Sequence, residues 1–179
     1  MDNLIKIGVK NKLFTKSMIK SKMFDEYRLP KISDVSKKNT KLYFFSFFEK
    51  WIPQHNYYHA QKHFGFKTGE ARSQGTFTSY TSLDDKIDEL YYYMQFIKFG
   101  FGRTVSEASV DIRDGFISRS EGVNLVKLYD GEFPSVDFKE ILKYMNLTKE
   151  KFIGIVDKFR SKKIWKKTKN KWSLKFKII

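Results

Sequence analysis

Three helices in series, each with its own start and stop signals, constrain the fold of this chain more than any other feature. Each segment opens with a serine or threonine followed three positions later by an acidic residue, the pattern of a capping box. Apolar residues then recur at helical spacing, and a glycine follows each repeat. The helices are predicted to start near Ser82, Thr104 and Ser118 and to stop near Gly100, Gly115 and Gly131. A mainly α-helical domain is therefore predicted.

The segment before these helices has a different character. The run KLYFFSFF at residues 41–48 is short, aromatic and bounded by polar residues, which favours a buried strand. A short helix is predicted from Pro53, which suits a first helical turn, to Gly65, which suits a C-cap. Residues 67–81 are rich in Gly, Ser and Thr and show no apolar period, so they are predicted to form a loop.

Two further helices and a hairpin are predicted at the C-terminal end. Residues 137–145 and 149–160 carry helical apolar repeats, the second preceded by the capping residue Thr148. The period then changes to two, with a turn at residues 168–171 and apolar side chains alternating with polar ones beyond it. We divide the chain into a basic lead-in and connector, 1–40, and one helical domain, 41–179.

The formal net charge of +15 is concentrated at the two ends of the sequence. Residues 1–50 carry 12 basic and 5 acidic groups, residues 151–179 carry 11 and 1, and the residues between them carry 12 and 14. A basic tail can mark a nucleic-acid-binding surface, but lysine lacks the two-pronged geometry of arginine and also suits a solvated surface. A basic helical nucleic-acid-binding module therefore stays the alternative function. Steep loss of binding with salt would distinguish it.

The absence of cysteine from the sequence excludes disulfides, thiolate metal sites and cysteine nucleophiles. The histidines His55, His59 and His63 are spaced to share one helix face, but no carboxylate clearly completes a metal site, so we predict no metal. The sequence has no apolar run long enough to cross a membrane and no signal or lipidation pattern, and we expect a cytoplasmic protein that does not contact membranes.

Polar residues cluster at the predicted helix boundaries. The free N–H groups at Gly102, Arg103 and Thr104 could hold an anion such as phosphate, with Arg103 adding a bidentate contact. The alternative, which the residues alone favour, is a tight turn in which Arg103 pairs with a nearby carboxylate. Asp84 and Asp85 could orient a sugar or a magnesium ion, or they could simply favour a helix N-terminus.

A long string at residues 75–134 resembles the C-terminal signature of the N-acetyl sugar amidotransferases. It reads GTFTSYTSLDDKIDELYYYMQFIKFGFGRTVSEASVDIRDGFISRSEGVNLVKLYDGEFP. The flanking segments KWIPQHNYYHAQKHFGF and DKFRSKKIW are similar to those of the same family, so the resemblance spans roughly residues 41–167. It implies the helical C-terminal half of an α/β enzyme similar to the ATP pyrophosphatases.

The resemblance also implies a reaction. ATP, with magnesium, would adenylate the oxygen of a sugar N-acetyl group, and ammonia would displace AMP to give an acetamidino sugar for surface polysaccharides such as O-antigen. The expected substrate is a nucleotide-linked N-acetyl sugar. Ammonia would come from subunits similar to the glutaminase and cyclase of imidazole glycerol phosphate synthase.

The sequence departs from the family at one point, because no SGGxDS phosphate loop precedes Lys41. We therefore expect no cofactor on this chain alone and an ATP-binding half on a separate polypeptide, unless the chain is a truncated form or an inactive remnant. Residues carried over from the resemblance fall into two groups. Those expected to contact phosphate or developing negative charge, and so to be catalytic, are Lys86, Lys98 and Arg103. Those expected to bind substrate are Thr76, Tyr80, Ser82, Asp84, Asp85, Arg113 and Arg119.

Overall fold

The computed structural model of the chain forms two compact units, Met1–Trp51 and Ile52–Ile179. The residues that the structure describes are 2–27, 30–39, 41–169 and 171–176. The sequence places a boundary earlier, after residue 40, and that division stays a prediction.

The first unit consists of short helical segments. Its α-helices are α1 (Asp2–Lys10), α2 (Lys16–Lys20) and α3 (Ile32–Lys37), and 3-10 turns lie at Lys22–Tyr27 and Phe45–Phe47. Thr15 caps α2, because its hydroxyl oxygen accepts a hydrogen bond from the N–H of Met18 at 3.2 Å.

The buried strand predicted at residues 41–48 is wrong. This segment contains a 3-10 turn, and its apolar side chains are exposed, Leu42 to 88% and Phe44 to 76%. An isolated strand leaves its backbone groups unpaired, and the described part of this unit contains no second strand. The turn satisfies some of these groups locally, since the N–H of Phe47 donates to the carbonyl of Phe44 at 2.9 Å.

The second unit is mainly helical and ends in a two-stranded sheet, which confirms the predicted fold class. Its helices and strands are α4 (Pro53–Phe64), α5 (Asp88–Phe99), α6 (Arg103–Asp114), α7 (Arg119–Tyr129), α8 (Phe138–Tyr144), α9 (Lys149–Lys158), β1 (Trp165–Thr168) and β2 (Lys171–Leu174). None of the described helices is long and apolar enough to cross a bilayer.

Only the last of the three predicted capping boxes forms. Ser118 and Glu121 satisfy each other's backbone N–H groups at the start of α7. Before α5, Ser82 has a φ of 58° and lies outside the helix, while the Asp85 carboxylate accepts from the N–H of Ile87 at 2.8 Å. Thr104 lies inside α6, where its buried hydroxyl donates to the carbonyl of Gly75 at 2.8 Å. Thr104 therefore bonds to a residue that is distant in the sequence and does not cap its own helix.

The predicted helix ends are more accurate than the starts. Gly65, Gly100 and Gly115 each follow the last helical residue in the left-handed conformation, as expected for C-caps. The helix α7 ends at Tyr129, and Gly131 follows with a φ of 77°. The hydroxyl of Thr148 accepts from the N–H of Lys151 at the start of α9, which confirms the predicted cap.

The antiparallel hairpin is confirmed and closes one side of the apolar core. Trp165 pairs with Leu174, and Lys167 pairs with Trp172. The predicted turn includes residue 170, which lies outside the described residues. Buried side chains from α5, α8, α9 and β1 form one cluster: Leu90, Ile97, Phe138, Ile141, Phe152, Val156 and Trp165. This core fixes α5, and with it the loop before α5 and the helix after it.

Candidate functional site

The loop that precedes α5 is held in place by a partly buried ion pair. The Arg72 guanidinium donates two hydrogen bonds to the Glu132 carboxylate, at 2.6 and 2.9 Å. The same carboxylate accepts from the N–H of Gly75 at 3.0 Å, and Arg72 lies 4.2 Å from the centre of the Tyr129 ring. The arginine bond holds the pKa of Glu132 below its ordinary value although burial opposes this. The loop is therefore joined to the segment after α7.

A second set of contacts fixes the middle of the loop. The Gln74 side chain donates to the carbonyl of Phe133 at 3.1 Å and accepts from the N–H of Val136 at 2.8 Å. Thr76 is fully buried, and its hydroxyl oxygen accepts from the N–H of Thr78 at 2.8 Å. Because so many of its polar groups have partners, this loop forms a fixed wall of the cavity beside it.

The cavity lies between this loop and one face of α6, and its volume is about 160 Å³. The polar side chains that α6 contributes are spaced so that they lie on consecutive turns of the same face. Pro53 at the start of α4 and the apolar Val110 complete the lining. The polar lining residues are Thr78, Tyr80, Thr81, Arg103, Ser106, Glu107 and Asp111.

Glu107 is the most deeply buried carboxylate of the cavity lining. One of its oxygens accepts from Nε of Arg103 at 2.9 Å and from the Thr81 hydroxyl at 3.2 Å. Its other oxygen, Oε2, is buried and has no hydrogen-bond partner among the described residues. Arg103 also lies over the Tyr92 ring, 5.5 Å from its centre. The alternative of an internal ion pair for Arg103 is confirmed.

Asp111 carries a second carboxylate one helical turn from Glu107. No hydrogen bond or ion pair engages it within the part of the chain that the structure describes. Burial raises the pKa of Asp111, and the nearby negative charges of Glu107 and Asp114 add to the rise. The cavity thus holds a half-buried carboxylate that accepts no hydrogen bond from the described residues.

Tyr80 forms the opposite side of the cavity. Its hydroxyl donates to Oε1 of Gln54 at 2.9 Å, and its ring stacks on Tyr57 with the centres 4.5 Å apart. Burial raises the pKa of Tyr80 to about 12, and the charges of Asp111 and Glu107 contribute. The phenol is therefore a neutral hydrogen-bonding group at physiological pH.

We expect the Tyr80 phenol to stay protonated at pH 11, because its pKa of about 12 lies above the ordinary value of 10. Carbon-13 NMR of labelled tyrosines would follow this group, with Tyr80→Phe identifying its signal. The folded chain keeps the proton after the unfolded chain has lost it. The contribution of Tyr80 to the free energy of unfolding is therefore unchanged below pH 10 and falls as pH rises from 10 to about 12. A Tyr80 midpoint near pH 10 would contradict this.

The backbone N–H groups at the start of α6 are bonded within the protein and are not available to an external anion. Oδ2 of Asp130 accepts from the N–H of Gly102 at 2.8 Å. Burial raises the pKa of Asp130, while the backbone N–H groups of Gly102, Thr104 and Val105 oppose the rise. An internal carboxylate therefore occupies the place that the sequence suggested for phosphate, and that interpretation does not hold. Contact between Arg103 and substrate stays a prediction.

Four other predicted residues line a separate cavity of about 310 Å³ next to the start of α5: Ser82, Asp84, Asp85 and Lys86. The exposed Lys86 ammonium lies 2.8 Å from the Glu140 carboxylate and 3.7 Å from that of Asp137. The hydrogen bond to Glu140 raises the pKa of Lys86. Ser82 shares a hydrogen bond with the Tyr92 hydroxyl. The structure thus separates these residues from Tyr80 and Arg103, and their roles stay predictions.

The remaining predicted residues do not line the first cavity. Lys98 and Arg113 lie in the last turns of α5 and α6, where Lys98 is near the Phe99 ring and Arg113 is near Asp114. Arg119 is the exposed first residue of α7. A direct contact between substrate and the fully buried Thr76 would require the loop to move.

The described residues contain no group of three or more His, Cys, Asp or Glu side chains placed to hold a metal ion. Of the three histidines, His59 and His63 lie closest, with ring centres 4.4 Å apart. His55 lies instead against the ring of Phe116, at 5.4 Å.

Sequence reasoning missed five polar residues of the cavity: Thr78, Thr81, Ser106, Glu107 and Asp111. The capping box predicted at Thr104 includes Glu107, and no role is predicted from the sequence for Asp111. The signal that could have found them is the spacing of Arg103, Glu107 and Asp111, which recur every four residues and must share a helix face.

Most of the cavity lining lies within a part of the chain that matches a known protein family. Residues 74–178 match the family described as "LPS biosynthesis protein WbpG-like, C-terminal domain". The match covers more than half of the chain and includes every residue lining the cavity except Pro53. No curated protein matches the chain. This chain belongs to the WbpG-like family of LPS biosynthesis proteins and carries its C-terminal domain.

Proposed function

We propose that this chain is the sugar-binding C-terminal half of an N-acetyl sugar amidotransferase. Such an enzyme converts the acetamido group of a sugar to an acetamidino group with ATP and ammonia, for O-antigen or related surface polysaccharides. The observation that carries the proposal is the cavity between the loop and α6, where hydroxyl, carboxylate and guanidinium groups converge within the family-matched residues.

The chemistry of the lining suits an N-acetyl sugar. Sugar hydroxyls and the amide N–H donate hydrogen bonds, and Asp111 and Glu107 supply acceptors that lack donors. The acetamido carbonyl needs a donor, and Arg103 or the hydroxyl of Ser106 could supply it. A concave site with a few converging polar groups is typical of small-molecule binding.

The described residues do not fit ATP or its magnesium ion. The N-terminus of α6 is taken by Asp130, and no group of carboxylates among the described residues is placed to hold a metal ion. We therefore assign no step of ATP chemistry to this chain. We propose that an ATP-binding half performs adenylation and that glutaminase-like and cyclase-like subunits deliver ammonia. The proposed setting is the cytoplasm.

The Asp111→Ala variant tests the sugar site. We expect the chain to bind UDP-N-acetylglucosamine in isothermal titration calorimetry, with the affinity of Asp111→Ala lower by about tenfold or more, equivalent to ~1.4 kcal/mol. The reason is that the Asp111 carboxylate, a hydrogen-bond acceptor with no partner among the described residues, is available to the sugar, and the variant removes it. Asp111 is half-buried and unpaired, so its loss should leave folding intact.

The matched control is Glu150→Ala, which removes an exposed carboxylate from the first turn of α9, outside the cavity lining. It should bind the sugar nucleotide as the wild type does. Equal affinity of Asp111→Ala and the wild type, or equal weakening in both variants, would contradict the proposed site.

A further inference from the structure

We propose that the cavity between the loop and α6 selects a cation that carries several N–H donors, and specifically the amidinium group of an acetamidino sugar. The inference rests on the proposed function and deepens it, because it states whether the site binds the substrate or the product of the reaction more tightly. The substrate carries a neutral acetamido group at the same position, so the cavity would favour the product over the substrate.

The charges that line the cavity do not balance. One guanidinium, from Arg103, faces two carboxylates, from Glu107 and Asp111. The Nε of Arg103 is already bound to Oε1 of Glu107 at 2.9 Å. One negative charge of the cavity therefore has no counterion within the lining, although the whole chain carries a net charge of +15. A neutral ligand would leave that charge unpaired.

The cavity also has more hydrogen-bond acceptors than the protein supplies with donors. Oε2 of Glu107 is buried without a partner in the described part of the chain, and the half-buried Asp111 carboxylate, which solvent reaches, accepts no hydrogen bond from a described residue. Buried acceptors without donors are costly, and a ligand that supplies donors removes that cost. An acetamido group carries one N–H, whereas an amidinium carries several in one plane.

The helix α6 brings the two carboxylates close together. Glu107 and Asp111 are four residues apart on α6, so their side chains lie on adjacent turns of one face. A planar amidinium presents parallel N–H groups to a carboxylate in the same two-pronged way as a guanidinium. Burial and the charge of Glu107 also raise the pKa of Asp111, as expected for a carboxylate that lacks a positive partner.

Acetamidinium chloride is the probe that tests this inference on the full chain. We expect it to shift the backbone amide signals of α6 in nitrogen-15 NMR with a Kd at least tenfold lower than that of acetamide. Tetramethylammonium, a cation without N–H groups, should bind no better than acetamide. Equal binding of acetamide and acetamidinium would overturn the inference, and so would equal binding of the two cations.

The Asp111→Asn variant supplies the second arm. It keeps the size of the side chain and removes its charge, so the preference for acetamidinium over acetamide should fall below about threefold. Glu150→Gln, the matched neutralisation outside the cavity, should keep the full preference. If Asp111→Asn keeps it as well, the inference is wrong.

Binding of UDP-N-acetylglucosamine without any preference for acetamidinium would overturn this inference alone, whereas selective acetamidinium binding without sugar binding would contradict the proposed function.

Discussion

Replacement of Gly131 by alanine is expected to lower the free energy of unfolding by about 3 kcal/mol, through strain added to overpacking. Gly131 has a φ of 77°, a conformation that side chains disfavour. A Cβ atom placed there would lie 2.3 Å from the ring of Phe96. That ring cannot withdraw easily, because it packs edge-on against Trp165 with the ring centres 5.4 Å apart.

Gly115→Ala is the matched control for this prediction. Gly115 has a similar φ of 82°, but a Cβ atom there would have no neighbour within 4 Å. Its replacement should cost only about 1 kcal/mol, which is the backbone contribution alone. Urea unfolding of both variants measures the difference. Equal losses of stability would show that the contact with Phe96 contributes nothing.

The second large effect is expected at Trp165, where alanine should cost about 4 kcal/mol of unfolding free energy. Trp165 is 5% exposed and belongs to the apolar cluster. Its indole N–H donates to the carbonyl of Ile97 at 2.7 Å, and Arg160 lies 4.4 Å from its ring centre. The substitution would therefore leave a cavity and also an unpaired buried carbonyl.

Trp172→Ala is the comparison within the same hairpin. Trp172 is only partly buried, and Lys167 lies over its ring at 5.2 Å. We expect its loss to cost roughly half as much as that of Trp165, because less apolar area leaves water on folding. Thermal or urea unfolding of both variants measures the two losses of stability. A larger loss at Trp172 than at Trp165 would contradict the assigned packing.

The helices of the second unit were predictable because local signals specify them. The left-handed glycines at 100 and 115 end α5 and α6 by backbone conformation alone, and the sequence shows this directly. The helix starts depended on distant residues. Thr104 bonds to Gly75 rather than to its own helix, and Asp130 caps α6 from across the fold. Capping patterns cannot reveal such tertiary partners.

The aromatic run at residues 41–48 shows a different limit. Composition favours a strand, but a strand is stable only when it pairs with a neighbouring strand. The sequence of the run does not show whether such a neighbour exists. Only two of the seven polar residues that line the cavity were predictable, for the same kind of reason. Tyr80 came from the family resemblance and Arg103 from that resemblance and from its place beside the glycine turn, whereas Glu107 and Asp111 required a helix face to be combined with a loop that folds against it.

We propose that the cavity between the loop and α6 binds the N-acetyl sugar. Nitrogen-15 NMR of the full chain during titration with UDP-N-acetylglucosamine tests it most directly, with UDP-glucose as the ligand that lacks the acetamido group. We expect the largest shifts at Thr78, Thr81 and residues 103–111, and markedly smaller ones with UDP-glucose. Shifts confined to the basic hairpin at residues 165–174, equal for both ligands and abolished by salt, would contradict the account.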